Sequence, residues 1–361
     1  MSASTLLLAL VAAATSTPDA GVQASASASA DAGPPVALLL GVASSASQKD
    51  ETELRTFLVD AHRIVPLGEG LAVPTRNGWL RITLRSHHRE QPPSEEGQNP
   101  ATASKDVVVV SRAKDPDPSD EDLFANDDLE DGCDNENLEA LAYVGPEIYS
   151  TNETGYSYCG GPYPNAGSTY HSWKLVVSGQ EGADIGEFLG PEASNALGRI
   201  QAKEPAEDDV CRKTFSPDDW ALVRESGQWR AVVSGVGGPH VCANSANEVP
   251  LEVSVPQRFA GPSKLPLPWE QLAAKTRKLI DAIGAPNGQF LLLMTETALV
   301  LRGSDDSIVT HADLAKRPRV VMAEWVYGAK NIDRWEHEAA AALVAPSRPE
   351  SRGKPKHKKQ K

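Results

Sequence analysis

Asn77-Gly78 lies between the apolar stretch Gly70-Leu71-Ala72-Val73 and Trp79-Leu80-Arg81-Ile82-Thr83-Leu84, and no other feature constrains the fold of this chain more. Asn-Gly between apolar runs is the strongest short hairpin signal, because both turn positions want positive φ. The arrangement recurs. Trp220-Ala-Leu-Val-Arg-Glu leads through Ser226-Gly227 to Gln228-Trp229-Arg-Ala-Val-Val, and Pro286-Asn287-Gly288-Gln289 opens Phe290 to Met294, followed by Ala298 to Arg302. The three units are unevenly spaced, so they mark antiparallel β-structure, with a β-propeller-like all-β arrangement as the alternative.

Further strands are expected at Val36–Val42, Thr56–Val59, Ile64–Leu67, Val107–Val110 and Val320–Val326. Pro191 to Ala202 has helical composition, and a second helix is expected over Pro268–Ile283. There Pro268 suits the first turn, Leu272, Leu279 and Ile283 recur at helical spacing, and Gly284 would stop the helix. A third is expected over Ile332–Leu343. The expected class is α+β, mainly antiparallel sheet with several helices.

Leu6 to Ala14 is a short apolar run followed by small residues, the pattern of a secretory signal, although no Lys or Arg precedes Lys49. Residues 15–35 are low-complexity linker, 36–140 a β-rich region, 141–345 an α+β domain and 346–361 a basic tail. Export to the periplasm, cell envelope or exterior is therefore expected. The four cysteines, Cys133, Cys159, Cys211 and Cys242, fit two disulfides. Three connectivities are open, and the sequential pairing closes two loops of similar size. The rival is a metal site with His240, Cys242 and Cys211 as ligands, but zinc sites usually show tighter paired spacing. No metal or other cofactor is expected.

The net charge of −14 argues against a nucleic-acid partner, since neutralising phosphates needs a basic face. No apolar run reaches the length of a membrane span. The acidic stretch Asp115 to Glu139 fails the calcium-loop pattern at Leu129 and Leu138, so it is expected to be a solvated loop. Residues 86–104 are polar and also expected to be a loop. There is no G-x-S-x-G, H-E-x-x-H or P-loop pattern. That makes a non-enzymatic chain the expectation, with a hydrolase site assembled from distant carboxylates or histidines, or a structural scaffold, as alternatives.

Tyr143 to Val177 holds most of the tyrosines and the densest Gly/Pro punctuation. Its Gly160–Asn165 loop reverses one strand into another. Amphipathic rings such as Tyr163, Tyr170 and Trp173 can stack on sugars or anchor a protein partner. Gly160, Gly161, Tyr163, Asn165, Tyr170 and Trp173 are accordingly the candidate binding residues, for an envelope glycan or a protein ligand.

This stretch resembles the extracytoplasmic domain of lysozyme-sensing anti-sigma factors, which also occurs ahead of some peptidoglycan deacetylases. Tyr156-Ser-Tyr158 enters Gly160-Gly161, Asn165 matches an Asn of that pattern, and Tyr170 to Val177 supplies the following strand. Ser178-Gly179 supplies the turn, and Ile185-Gly-Glu-Phe-Leu189 leads to a helix. Pro162-Tyr163 stands where the family has Ala-His, and no cytoplasmic or membrane segment is present to carry an anti-sigma role. The resemblance implies an exported, non-catalytic domain that contacts a cell-wall glycan or a muramidase-like protein.

Overall fold

A computed structural model describes residues 33–45, 52–91, 101–119, 123, 134–158, 165–177, 181–204, 213–237 and 248–344. Within these, side chains at 45, 87–91, 101–104, 134–137, 156–158, 165–167 and 236–237 are not described. All four cysteines, residues 127–133 of the stretch tested against the calcium-loop pattern, and Gly160, Gly161 and Tyr163 lie outside the described residues.

The chain begins with β1 (Val36–Ser45), β2 (Thr52–Val59) and β3 (Ile64–Glu69). Then come β4 (Leu71–Thr75), β5 (Gly78–Gln91), β6 (Ala101–Arg112), β7 (Asp134–Val144), β8 (Ile148–Tyr158) and β9 (Asn165–Lys174). Helices α1 (Ile185–Leu189) and α2 (Pro191–Gln201) follow. Next are β10 (Lys213–Thr214), β11 (Trp220–Glu225), β12 (Gln228–Ser234), β13 (Val236–Gly237) and β14 (Glu248–Pro250). After α3 (Gln257–Ala260) and α4 (Trp269–Lys275) come β15 (Leu279–Gly284), β16 (Phe290–Thr295), β17 (Ala298–Gly303), β18 (Ile308–Asp313), β19 (Lys316–Tyr327) and α5 (Ala329–Leu343).

The fold is α+β and mainly antiparallel. Its sheets run β19-β1-β2-β3, β4-β5-β6-β7-β8-β9, β11-β12-β14, β15-β16-β17-β18 and the small pair β10-β13. Strand β1 explains how they are stacked. Its sequence Val-Ala-Leu-Leu-Leu-Gly-Val is apolar at every position, the signature of a strand covered on both faces rather than one. Side chains alternate across a strand. Val36, Leu38, Leu40 and Val42 therefore enter a core shared with Trp220, Leu222, Phe290, Leu292 and the α1–α2 helices. Ala37, Leu39 and Ala43 enter a second core with Leu71, Val73, Ile82, Tyr149 and Ile332.

All three turn signals end strands. Thr75 pairs with Gly78 across Arg76-Asn77, one residue earlier than the expected Asn77-Gly78 turn and with positive φ at Gly78 (117°) rather than at the two loop residues. Glu225, in contrast, pairs with Gln228 across Ser226 (φ 52°) and Gly227 (φ 80°), both positive as in a type I′ turn. Arg224 ties this hairpin to the next sheet. Its Nε lies 2.6 Å from Asp281 Oδ2 and its Nη2 donates to the carbonyls of Gly227 and Ala282, with both charged side chains almost wholly buried.

Three expectations need correction. The helix over Pro268–Ile283 stops at Lys275, and Leu279–Gly284 is instead β15, paired with β16. Thr276 is extended and Lys278 has φ 60°, so the backbone leaves the helical region there. A spacing of four suits either period in the sequence, but a bulge between Leu279 and Asp281 sends Leu279 and Ile283 to different apolar clusters, and the pairing with β16 decides. Residues 86–91 and 101–104 belong to β5 and β6, which stay paired from Ser86↔Asp106 to Gln91↔Ala101, with β7 beside β6 over Ala103–Lys105. The polar sequence hid this pairing, because it carries no hydrophobic period.

The acidic stretch is not all solvated loop either. Asp134 to Glu139 lie in β7, and Asp117 takes Arg81 at 2.6 Å and Arg85 at 3.0 Å. Burial opposes ionisation of Asp117, but the two guanidiniums prevail and hold its carboxyl below the usual range.

Candidate functional site

The six-stranded sheet contains one parallel pair. β6 and β7 are in register over Ala103–Lys105 and Asn135–Asn137. Beyond that the two strands part, and freed backbone groups need other partners. The Val108 amide donates to Glu139 Oε2 at 2.7 Å, and the Leu141 carbonyl accepts from Arg319 Nε at 3.2 Å. Glu139 thus has a structural task at the root of the β7–β9 meander. Burial pushes its pKa up to about 7, against the opposing hydrogen bonds from Val108 and Thr151.

Strand β9 is the outer strand of this sheet, and its free edge is covered. The amides of Ser172 and Lys174 donate to the carbonyls of Asp218 and Glu181, and Ala183 donates back to the Ser172 carbonyl. Trp220 anchors the covering segment. Its ring is fully buried and its Nε1 donates to the Ala183 carbonyl at 2.7 Å. With Trp220 seated, Asp219 immediately before it is delivered to His171, with Oδ1 3.0 Å from Nδ1. Glu153 Oε2 lies 3.7 Å from the other imidazole nitrogen, Nε2.

His171 therefore sits between two carboxylates, half-buried. The hydrogen bond to Asp219 is the main reason its pKa is raised. Burial opposes this, while the charges of Asp219, Glu153 and Asp218 reinforce it. Trp173 is on the same face two residues on. Its ring lies 5.5 Å from the imidazole and its Nε1 donates to Thr151 Oγ1 at 3.2 Å. On the opposite face, beside Tyr170, the Ser168 hydroxyl on β9 donates to Asn152 Oδ1 on β8. The cluster offers carboxylate acceptors, an imidazolium donor and the flank of an indole ring within one partly exposed patch.

Of the candidate residues read from sequence, Tyr170 and Trp173 have described side chains. Tyr170 faces away from Trp173, and its hydroxyl donates to Glu248 Oε2 on β14 at 2.9 Å. Burial, with help from Glu248, raises the Tyr170 pKa. Asn165 opens β9 opposite Ser157. The residues that sequence reasoning missed are Glu139, Glu153, Asp219 and the role of His171. Strand alternation alone could have placed Glu153 and His171 on one face. Nothing local marks Asp219, whose approach depends on how β11 docks beside β9.

Among the described residues, no group of three or more His, Cys, Asp and Glu is arranged to hold a metal ion, and no helix is long and apolar enough to cross a membrane. No protein-family model matches the chain, and no curated protein matches it. Among solved structures it is similar to the crystal structure of a DUF3298 family protein from Pseudomonas aeruginosa. The identity is 13%, the match covers 50% of this chain and 97% of that one, and the TM-score is 0.31.

Proposed function

We propose that this chain is an exported, non-catalytic binding module of the cell envelope, and that its ligand is a hydroxyl-rich, neutral or amine-bearing glycan. The observation that carries the reading is the clustering of Glu153, His171 and Asp219 beside Trp173. Carboxylates that accept from sugar hydroxyls, next to an aromatic ring, form the usual complement to a sugar. The acidity of the patch disfavours anionic ligands. The resemblance of the 156–189 stretch to envelope-sensing domains supports the same reading.

Binding of soluble chito-oligosaccharide and of isolated cell-wall glycan, measured by calorimetry and co-sedimentation, tests it. Glu153→Gln and His171→Gln should each weaken binding roughly tenfold, the loss of one charge-assisted hydrogen bond. Unchanged binding in both variants would remove the site. A second reading, hydrolysis, draws on the same Asp219–His171 pair, which has the form of an oriented general base. Release of reducing ends from those glycans by the wild-type protein, abolished in His171→Gln, would favour it over binding alone.

A further inference from the structure

A second site lies in the β15–β18 sheet, built from residues that the glycan reading does not use. The β15–β16 and β17–β18 turns emerge at the same end of that sheet. The stretch Lys264-Leu-Pro-Leu-Pro268 passes across β15 there, with the Lys264 amide donating to the Gly284 carbonyl. Its prolines hold it extended. Together with α4 it stands over the two turns and encloses a cavity of about 650 Å³, within the size range of sites for small organic ligands. Leu265, Leu267, Leu272 and Leu291 from the third apolar cluster form much of the lining, joined by Phe290.

The rim is cationic in a chain of net charge −14. Lys264, Lys275 and Arg302 all line the cavity, against a single carboxylate, Asp306. Among the described residues, neither lysine has an ion-pair partner. Arg302 is only partly satisfied, because Nη1 lies 2.8 Å from Asp306 Oδ1 while Nε is buried with no acceptor. An apolar interior ringed by three cations, one of them with a spare buried donor, complements one kind of occupant. We propose that this cavity binds an amphipathic anion, with a carboxylate or phosphate head at Arg302 and the lysines and an aliphatic body against Leu272 and Phe290.

Isothermal titration of the full-length protein with decanoate, decyl phosphate and decylammonium tests the proposal. At least one of the two anions should bind, and whichever binds better identifies the head group. Decylammonium should bind at least tenfold more weakly. The double variant Lys264→Gln/Lys275→Gln changes only exposed side chains and should weaken anion binding about tenfold. Asp306→Asn should strengthen it about threefold by releasing Arg302, and asparagine accepts the positive φ of this position. Opposite shifts from two surface changes cannot come from loss of fold. Failure of both anions to bind at about 1 mM, the weak end of specific affinity, would overturn the proposal. So would equal binding of decylammonium, or variants that leave anion affinity unmoved.

Discussion

Glu139 and Glu324 carry carboxyls whose pKa burial pushes up to about 7, and His171 is raised by its bond to Asp219. All three have folded pKa values above their unfolded ones, so the folded protein holds more protons. The stability they contribute is complete below the unfolded values and is lost as pH rises through the folded ones. For the two glutamates that window runs from 4.5 to about 7, and for His171 it opens at 6.5 and extends upward. Asp117 has the opposite sign and contributes stability that is lost only in acid. Thermal melts should therefore show a more stable protein at pH 6 than at pH 8. Glu139→Gln keeps the acceptor for the Val108 amide and removes the ionisation. It should flatten that slope, gaining about 1–3 kcal/mol at pH 8 relative to wild type and next to nothing at about pH 4, below the window.

Among the elements, β1 has the tightest constraint at Gly41. A Cβ there would lie 2.8 Å from the Met322 Cβ on β19 and 2.9 Å from a Leu71 methyl. Both faces are already filled, so the added methyl has nowhere to go. Gly41→Ala should lower stability by about 1–3 kcal/mol, read as a shift in the urea midpoint at unchanged slope. Gly284 on β15 has the same need, because a methyl there would meet the Lys264 carbonyl. This glycine looked like a helix stop in the sequence and is in fact a crossing point. The contrast shows what was legible. Asn77-Gly78 and Ser226-Gly227 could be read because turn chemistry is local. Leu279–Ile283 could not, because its apolar spacing fits both periods and β16 settles the matter. His171 was visible as a residue, but its partner Asp219 lies on a segment brought in by the docking of Trp220, which no local pattern encodes.

At the scale of the molecule, the two larger cores lie on either side of one sheet, and the β19–β1 pair of that sheet joins distant parts of the chain. Val36 faces Tyr327 and Leu40 faces Ala323 across β1 and β19. The Arg224–Asp281 pair then fastens the β11–β12 hairpin to the β15–β18 sheet. Removal of one member of a buried pair strands the other charge, at a cost of about 3–5 kcal/mol. Asp281→Ala should accordingly destabilise the whole fold in one cooperative step, with tryptophan fluorescence and far-ultraviolet circular dichroism changing together.

The pairing of β1 with β19 also has a consequence for how the molecule is made. A ribosome delivers β1 early and β19 late, so the first strand waits for its partner through most of translation. Until then its Val-Ala-Leu-Leu-Leu run has β2 along one edge and no backbone partner along the other. Contacts so far apart in sequence make for slow folding, on the order of milliseconds to seconds or longer. The nascent chain thus stays open for as long as its last sheet strand is still to come.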